Sequence, residues 1–159
     1  MSEFEHRGSV VIAAPPRAVY DLVSDVTRTG EWSPICRSCA WNEDGGPRVG
    51  ATFTGHNEDS GRTWDTTCTV EAAEPGRTFS WVVGEGWVRW GYDLTAVDEG
   101  TELTEWWEFT EAGRTMFAEN FGDRAQAQID NRVERAHSGI AATLESIKSI
   151  AQASGETSG

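Results

Sequence analysis

The strongest constraint on this chain is a change of hydrophobic period. Between about residues 38 and 109, apolar and polar residues alternate in short segments separated by turn clusters, whereas from Asp123 onward apolar residues recur in steps of three and four. A period of two marks strands with one covered face, and a period near 3.6 marks a helix. The pattern predicts an antiparallel sheet laid against one long helix. Most of the eight tryptophans (Trp64, Trp81, Trp87, Trp90, Trp106 and Trp107) fall inside the strand segments. Indole is large, is seldom fully buried, and needs a partner for its N–H when it is. A small domain does not need so many indoles to fill a core, but a sheet lining a pocket for a flat or greasy ligand uses them.

The order of elements follows from the punctuation. Residues 8–13 read as a first strand, closed by Pro15 and Pro16, which suit the first turn of a helix. Val19, Tyr20, Leu22 and Val23 give that helix its apolar face. Ser24 and Asp25 cap a second short helix running towards Gly30, and Pro34 ends it. Turn clusters at 44–47, 57–61, 74–76, 84–86 and 98–100 then separate segments at 38–43, 51–56, 62–72, 78–83, 87–96 and 102–109, the spacing of a meander. Residues 111–122 read as a glycine-containing connection. A helix over about 123–152 carries the stripe Ile129, Val133, Ala136, Ile140, Leu144 and Ile147. Its roughly 30 residues would span roughly 45 Å, enough to cross the sheet. Residues 1–153 form a single domain in this reading, and 154–159 a frayed polar tail.

Composition narrows the partners. With 13 basic and 26 acidic residues the net charge is −13, which argues against nucleic acid or an anionic membrane surface and favours neutral or cationic small ligands. No apolar run approaches a membrane span, and the first residues lack a secretory apolar region, so a cytoplasmic protein, monomer or homodimer, with reduced thiols is expected. Cys36 and Cys39 have redox or zinc spacing, but no second pair accompanies them and they run towards a strand instead of opening a helix. No metal site and no cofactor are expected. Walker, HExxH, GxSxG and RNA-binding aromatic motifs are absent.

Alternation assigns faces. Phe53 and Asn57 share one; Trp64, Thr66 and Cys68 another; then Trp81 with Val83, Trp90 with Tyr92, and Glu105 with Trp107. With Val133, His137 and Ile140 on the helix stripe, these residues are the candidate ligand-binding set. A few polar groups converging in an apolar concavity is the profile of a small-molecule site. The candidate acid–base groups are Glu105, His137 and Tyr92. Glu105 has two readings: inward, with a raised pKa and a role as acid, base or anchor, or turned outward by a bulge near Trp106 and Trp107. For His137, pairing with Tyr92 or Glu105 competes with satisfaction by a backbone carbonyl or water at the core edge, and the second is favoured.

Several stretches carry a family resemblance. Val11-Ile12-Ala13-Ala14-Pro15-Pro16, then Val19-Tyr20-Asp21-Leu22-Val23-Ser24-Asp25 and Glu31-Trp32-Ser33-Pro34, resemble the start of polyketide cyclase/dehydrase-like proteins. These belong to the START-related, birch-pollen-allergen-like (SRPBCC) superfamily. Val49-Gly50-Ala51-Thr52-Phe53, Gly55-His56-Asn57, Trp64, Gly100-Thr101-Glu102-Leu103-Thr104-Glu105, Arg135-Ala136-His137 and Thr143-Leu144 are similar to the same pattern. The resemblance covers about residues 8–152. It implies an α+β helix-grip fold: a seven-stranded antiparallel sheet wrapped around a long C-terminal helix, two short helices after strand 1, and a ligand between sheet and helix. It transfers no catalytic residue, because superfamily members range from lipid carriers to aromatase/cyclases. The expected function is binding of a hydrophobic, aromatic or lipid-like small molecule. The alternatives are a polyketide cyclase/aromatase/dehydrase-type enzyme and a non-catalytic interaction or regulatory protein.

Overall fold

The computed structural model describes residues 2–43 and 45–157, so Asp44, in the first expected turn cluster, lies outside the described residues. β1 (Glu5–Ile12) leads through Pro15 into α1 (Pro16–Val23), whose inward face buries Val19, Tyr20, Leu22 and Val23. The second short helix is a 3-10 segment, Val26–Glu31, capped by the Asp25 carboxylate, which accepts from the Thr27 N–H at 3.2 Å. The meander follows as β2 (Cys36–Trp41), β3 (Thr52–Asp59), β4 (Arg62–Glu74), β5 (Thr78–Val83), β6 (Val88–Val97) and β7 (Gly100–Phe109).

These strands form one seven-stranded antiparallel sheet in the order β1-β7-β6-β5-β4-β3-β2. From β2 to β7 sequential strands pair, and β1 joins the far edge beside β7, from Glu5 opposite Glu108 to Ile12 opposite Thr101. The register shifts twice, between Cys36 and Ser38 in β2 and between Val70 and Ala72 in β4. The β6–β7 and β1–β7 ladders have no such shift, so alternation holds through the Trp106-Trp107 pair. Trp107 points inward and is 3% exposed. Trp106 takes the other face and covers Gly91, where a Cβ would lie 2.3 Å from the indole. Here an aromatic fills the space that the missing side chain leaves on a strand.

The long helix, α3 (Ala125–Thr157), packs against β1 and β7. Its approach is close: a Cβ at Gly8 would sit 3.0 Å from Ile140 Cγ2. Ile140 and Ile147 on the helix, and Phe79, Leu103 and Phe109 on the sheet, are at most 1% exposed and anchor the core. The resulting α+β architecture, a seven-stranded sheet gripping a C-terminal helix, is the one the sequence predicts.

β1 begins earlier than expected, at Glu5, β2 is Cys36–Trp41, and β3 runs on to Asp59; two further differences are larger. Residues expected to form a connection are instead α2 (Glu111–Phe121). Thr110 caps it, accepting from the Gly113 N–H at 3.0 Å, and Phe117 is buried against Phe109. This helix covers one end of the sheet with few apolar residues, so the periodic signal is thin, and Gly113 lowers its helix propensity further. At the C-terminus, residues expected to fray after 153 continue α3 to Thr157, and residues 158 and 159 lie outside the described residues.

Candidate functional site

A cavity of about 230 Å³ lies between the concave sheet and α3. An apolar void of ~150 Å³ holds a benzene ring, so this one accommodates a larger flat ligand. The sheet supplies most of its wall: Phe53 and Asn57 from β3; Trp64, Thr66 and Cys68 from β4; Trp81 and Val83 from β5; Trp90 and Tyr92 from β6; Glu105 and Trp107 from β7. All eleven sheet residues singled out by alternation face the same space, because β3 to β7 keep an unbroken period of two along these segments. Ile140 joins them from α3.

Val133 and His137 are not among the lining residues. The His137 ring stacks on His6 with centroids 4.3 Å apart, and its Nε2–H donates to the Glu3 carbonyl at 3.1 Å. It therefore has a backbone partner at the edge of the core, and its nitrogen is engaged on the β1 side, away from Tyr92 and Glu105. Val133 is half-buried beside the core.

The aromatic wall is tilted, not solidly interlocked. Trp81 lies 6.0 Å from Phe53 and 5.9 Å from Tyr92, and Trp90 lies 6.4 Å from Trp107. Such edge and offset contacts favour each pair while leaving ring faces open to a further π-system.

Glu105 is inward, 4% exposed, and opposite Tyr92 across the β6–β7 ladder. The Tyr92 phenol, its partner across the ladder, and the Trp32 indole line the same cavity beside it. Burial pushes the Glu105 carboxyl up to about 8, an effect the neighbouring Tyr92 hydroxyl only partly opposes. Burial and the adjacent carboxylate hold the Tyr92 phenol well above its usual range. At neutral pH the site thus contains a protonated carboxylic acid in an apolar wall. Its Oε1 is buried with no hydrogen-bond partner. An orphaned buried oxygen costs roughly 1–3 kcal/mol, so a ligand group that reaches it recovers that loss.

A second polar group sits on the Asn57 side. Asn57 Nδ2 donates to the Trp64 carbonyl at 3.2 Å and to Thr66 Oγ1 at 3.3 Å. Cys68 is behind it, with its thiol pushed up to about 12 by burial.

The cavity has a further wall that alternation does not reveal. Val26, Trp32 and Pro34 come from the segment between α1 and β2, Phe117 from α2, and Arg132 and Thr143 from α3. The Arg132 guanidinium lies 4.5 Å from the Trp64 ring and 5.5 Å from the Phe117 ring. Burial and nearby Arg62 weaken its hold on its proton. Arg132 is three residues after Ile129 and four before Ala136, so the helix stripe carried a signal for it. Phe117 carries none, because its segment lacks a helical apolar period.

Residues 3–145 match the family described as polyketide cyclase/dehydrase and lipid transport. The chain belongs to that family. Among solved structures, the polyketide-cyclase-like protein Cgl2372 of Corynebacterium glutamicum is similar at 48% identity, covering 97% of this chain and 94% of its own, with a TM-score of 0.72. The Zhui aromatase/cyclase of Streptomyces sp. R1128 shares 20% identity over 93% of each chain, with a TM-score of 0.70. The di-domain aromatase/cyclase StfQ of the steffimycin biosynthetic pathway shares 14% identity over 96% of this chain and 52% of its own, with a TM-score of 0.68. The last two establish the shared fold. No curated protein matches the chain. Among the described residues of this polyketide cyclase/dehydrase-family member, no helix is long and apolar enough to cross a membrane.

Proposed function

We propose that this family member holds a flat, hydrophobic small molecule, aromatic or lipid-like, between the sheet and α3. The carrying observation is Glu105: a neutral carboxyl with an orphaned oxygen, facing a cavity walled by indoles. Stacking on Trp81 and Trp90 supplies apolar contact, and Glu105 with Tyr92 fixes one polar end of the ligand. A ligand burying ~300 Å² of apolar surface gains about 7 kcal/mol, of which association entropy removes several, so apolar contact alone leaves binding on the millimolar scale and the polar contact at Glu105 adds to the affinity.

The same pair favours a second reading, a cyclase/dehydrase-type step on a β-hydroxy carbonyl compound. Glu105 would give its proton to the departing hydroxyl, which leaves as water, and take back a proton from the neighbouring carbon as the double bond forms. Tyr92 would hold the transient carboxylate. A carboxyl that is neutral at pH 7 and shielded from water suits such a shuttle.

Tryptophan fluorescence titrated with fatty acids, sterols, flavonoids and polyketide-like aromatics tests the binding reading. Saturable quenching by one class, weakened about tenfold or more by Trp90→Ala, is the expected result. A flat response across the panel from the folded protein would overturn it. For the second reading, loss of water from an aromatic β-hydroxy ketone should disappear in Glu105→Gln while quenching by that compound persists; no turnover by the wild type would refute it.

A further inference from the structure

The two cysteines that the sequence left without a role are brought together by the fold. Residues three apart on a regular strand face opposite sides of a sheet. In β2 the register shifts between Cys36 and Ser38: Cys36 pairs with Asn57, and Ser38 with the next residue back, His56, leaving Arg37 unpaired. This extra residue turns Cys36 and Cys39 onto one face, as bulges do. Their sulfurs lie 3.2 Å apart, and both line the cavity. Opposite Cys39 in the ladder is Gly55, where a Cβ would stand 3.3 Å from Cys39 Sγ and 3.5 Å from Cys36 Sγ. The missing side chain gives the sulfurs room. Both cysteines are half-buried, whereas Cys68 is buried.

We propose that Cys36 and Cys39 form a redox couple on the cavity wall, closing to an intramolecular disulfide by exchange with a low-molecular-weight disulfide. Cys39 thiolate attacks one sulfur of the small disulfide; its S–S bond breaks, and one thiol leaves after taking a proton. Cys36, losing its proton, then attacks Cys39 Sγ and expels the second thiol. The two cysteines give up two electrons and two protons, and the small disulfide becomes two thiols.

The electrostatics divide the roles in the same way. The thiol–thiol hydrogen bond holds Cys39 down to about 7 against the opposing effect of burial, and pushes Cys36 up. A thiol near ambient pH is the effective attacking group. Closing the bond brings the sulfurs from 3.2 Å to about 2.05 Å, a movement the bulge can take up. Among the described residues no third His, Cys, Asp or Glu joins the pair in a metal-holding group, so the donor set favours sulfur exchange over metal binding. The exchange reaction does not depend on the cavity holding a ligand.

The test equilibrates the intact protein with mixtures of reduced and oxidised glutathione, quenches with acid, alkylates the remaining thiols and maps the peptides by mass spectrometry. The wild type should convert, along a single redox titration, to a species lighter by two hydrogens with the bond mapped to Cys36 and Cys39. Cys36→Ser should stop at a mixed disulfide carrying one glutathione on Cys39. Cys39→Ser should react at least about tenfold more slowly. Wild-type protein that retains both thiols at every ratio, accumulates glutathione adducts without ring closure, or pairs either cysteine with Cys68 would overturn the proposal. The wild-type result alone decides it if a serine variant fails to fold.

Discussion

Replacing Glu105 by Gln isolates the consequence of burying a carboxyl in the cavity wall. The folded-state pKa of about 8 lies above the usual value of 4.5. Native protein therefore keeps a proton that the unfolded chain releases. The contribution of this proton to stability is complete below about pH 4.5 and is lost as pH rises towards 8, because the unfolded state binds fewer protons over that window. At 1.36 kcal/mol per pKa unit, the native state should lose about 3 kcal/mol between about pH 5.5 and pH 8 from this group alone. Gln fills the same volume and has no proton to lose. Its amide adds a constant offset, from whatever hydrogen bonds it fails to make, but no slope. The other carboxylates titrate alike in both proteins and cancel in the difference. Urea unfolding of both proteins followed by circular dichroism across this range should show the variant gaining about 3 kcal/mol relative to wild type. Two stability curves that remain parallel would refute the neutral, desolvated Glu105 and, with it, the chemistry assigned to the pair.

Phe79, at 0% exposure, lies between Tyr20 and Trp81 at centroid distances of 6.4 and 5.7 Å. Phe79→Ala should cost about 3–5 kcal/mol, read as a lower urea midpoint at unchanged slope. An effect under about 1 kcal/mol would show that this part of the core is not packed as described. Gly113→Ala runs against propensity: alanine is the better helix former by about 1 kcal/mol, yet its Cβ would lie 2.1 Å from the Trp87 carbonyl oxygen and 2.9 Å from the Phe109 ring. The variant should melt several degrees lower, and a higher melting temperature would place α2 farther from β6.

Much of this architecture was legible because one face of the sheet is covered. Burial on one side forces strict alternation, and alternation assigned Phe53, Trp64, Trp81, Trp90, Tyr92 and Trp107 to a common space without any structure. Glu105 remained open for the opposite reason. Two adjacent tryptophans satisfy either register, and the decision rests on Trp106 filling the gap over Gly91, a contact between strands that one strand's pattern does not contain. The Cys36–Cys39 pairing was hidden by the same kind of event, a bulge that departs from the period used to read faces. α2 is hard to read because its core contacts, Met116, Phe117 and Phe121, are too few and too unevenly spaced to set a helical period, and it draws on its Thr110 cap. His137 sits near the apolar stripe, but spacing along a helix does not reveal that β1 supplies His6, and the residues before it the Glu3 carbonyl, as its neighbours.

The cavity between sheet and helix is tested most directly by the indole N–H signals of the eight tryptophans in a ¹H–¹⁵N correlation spectrum. The spectrum is recorded while the protein is titrated with the compound classes of the fluorescence panel. Trp32, Trp64, Trp81, Trp90 and Trp107 line the cavity, whereas Trp41, Trp87 and Trp106 do not. A ligand held between the sheet and α3 should shift the first five signals along saturating curves and leave the other three in place. Shifts confined to Trp41, Trp87 or Trp106, or no saturating shift with any class, would contradict it.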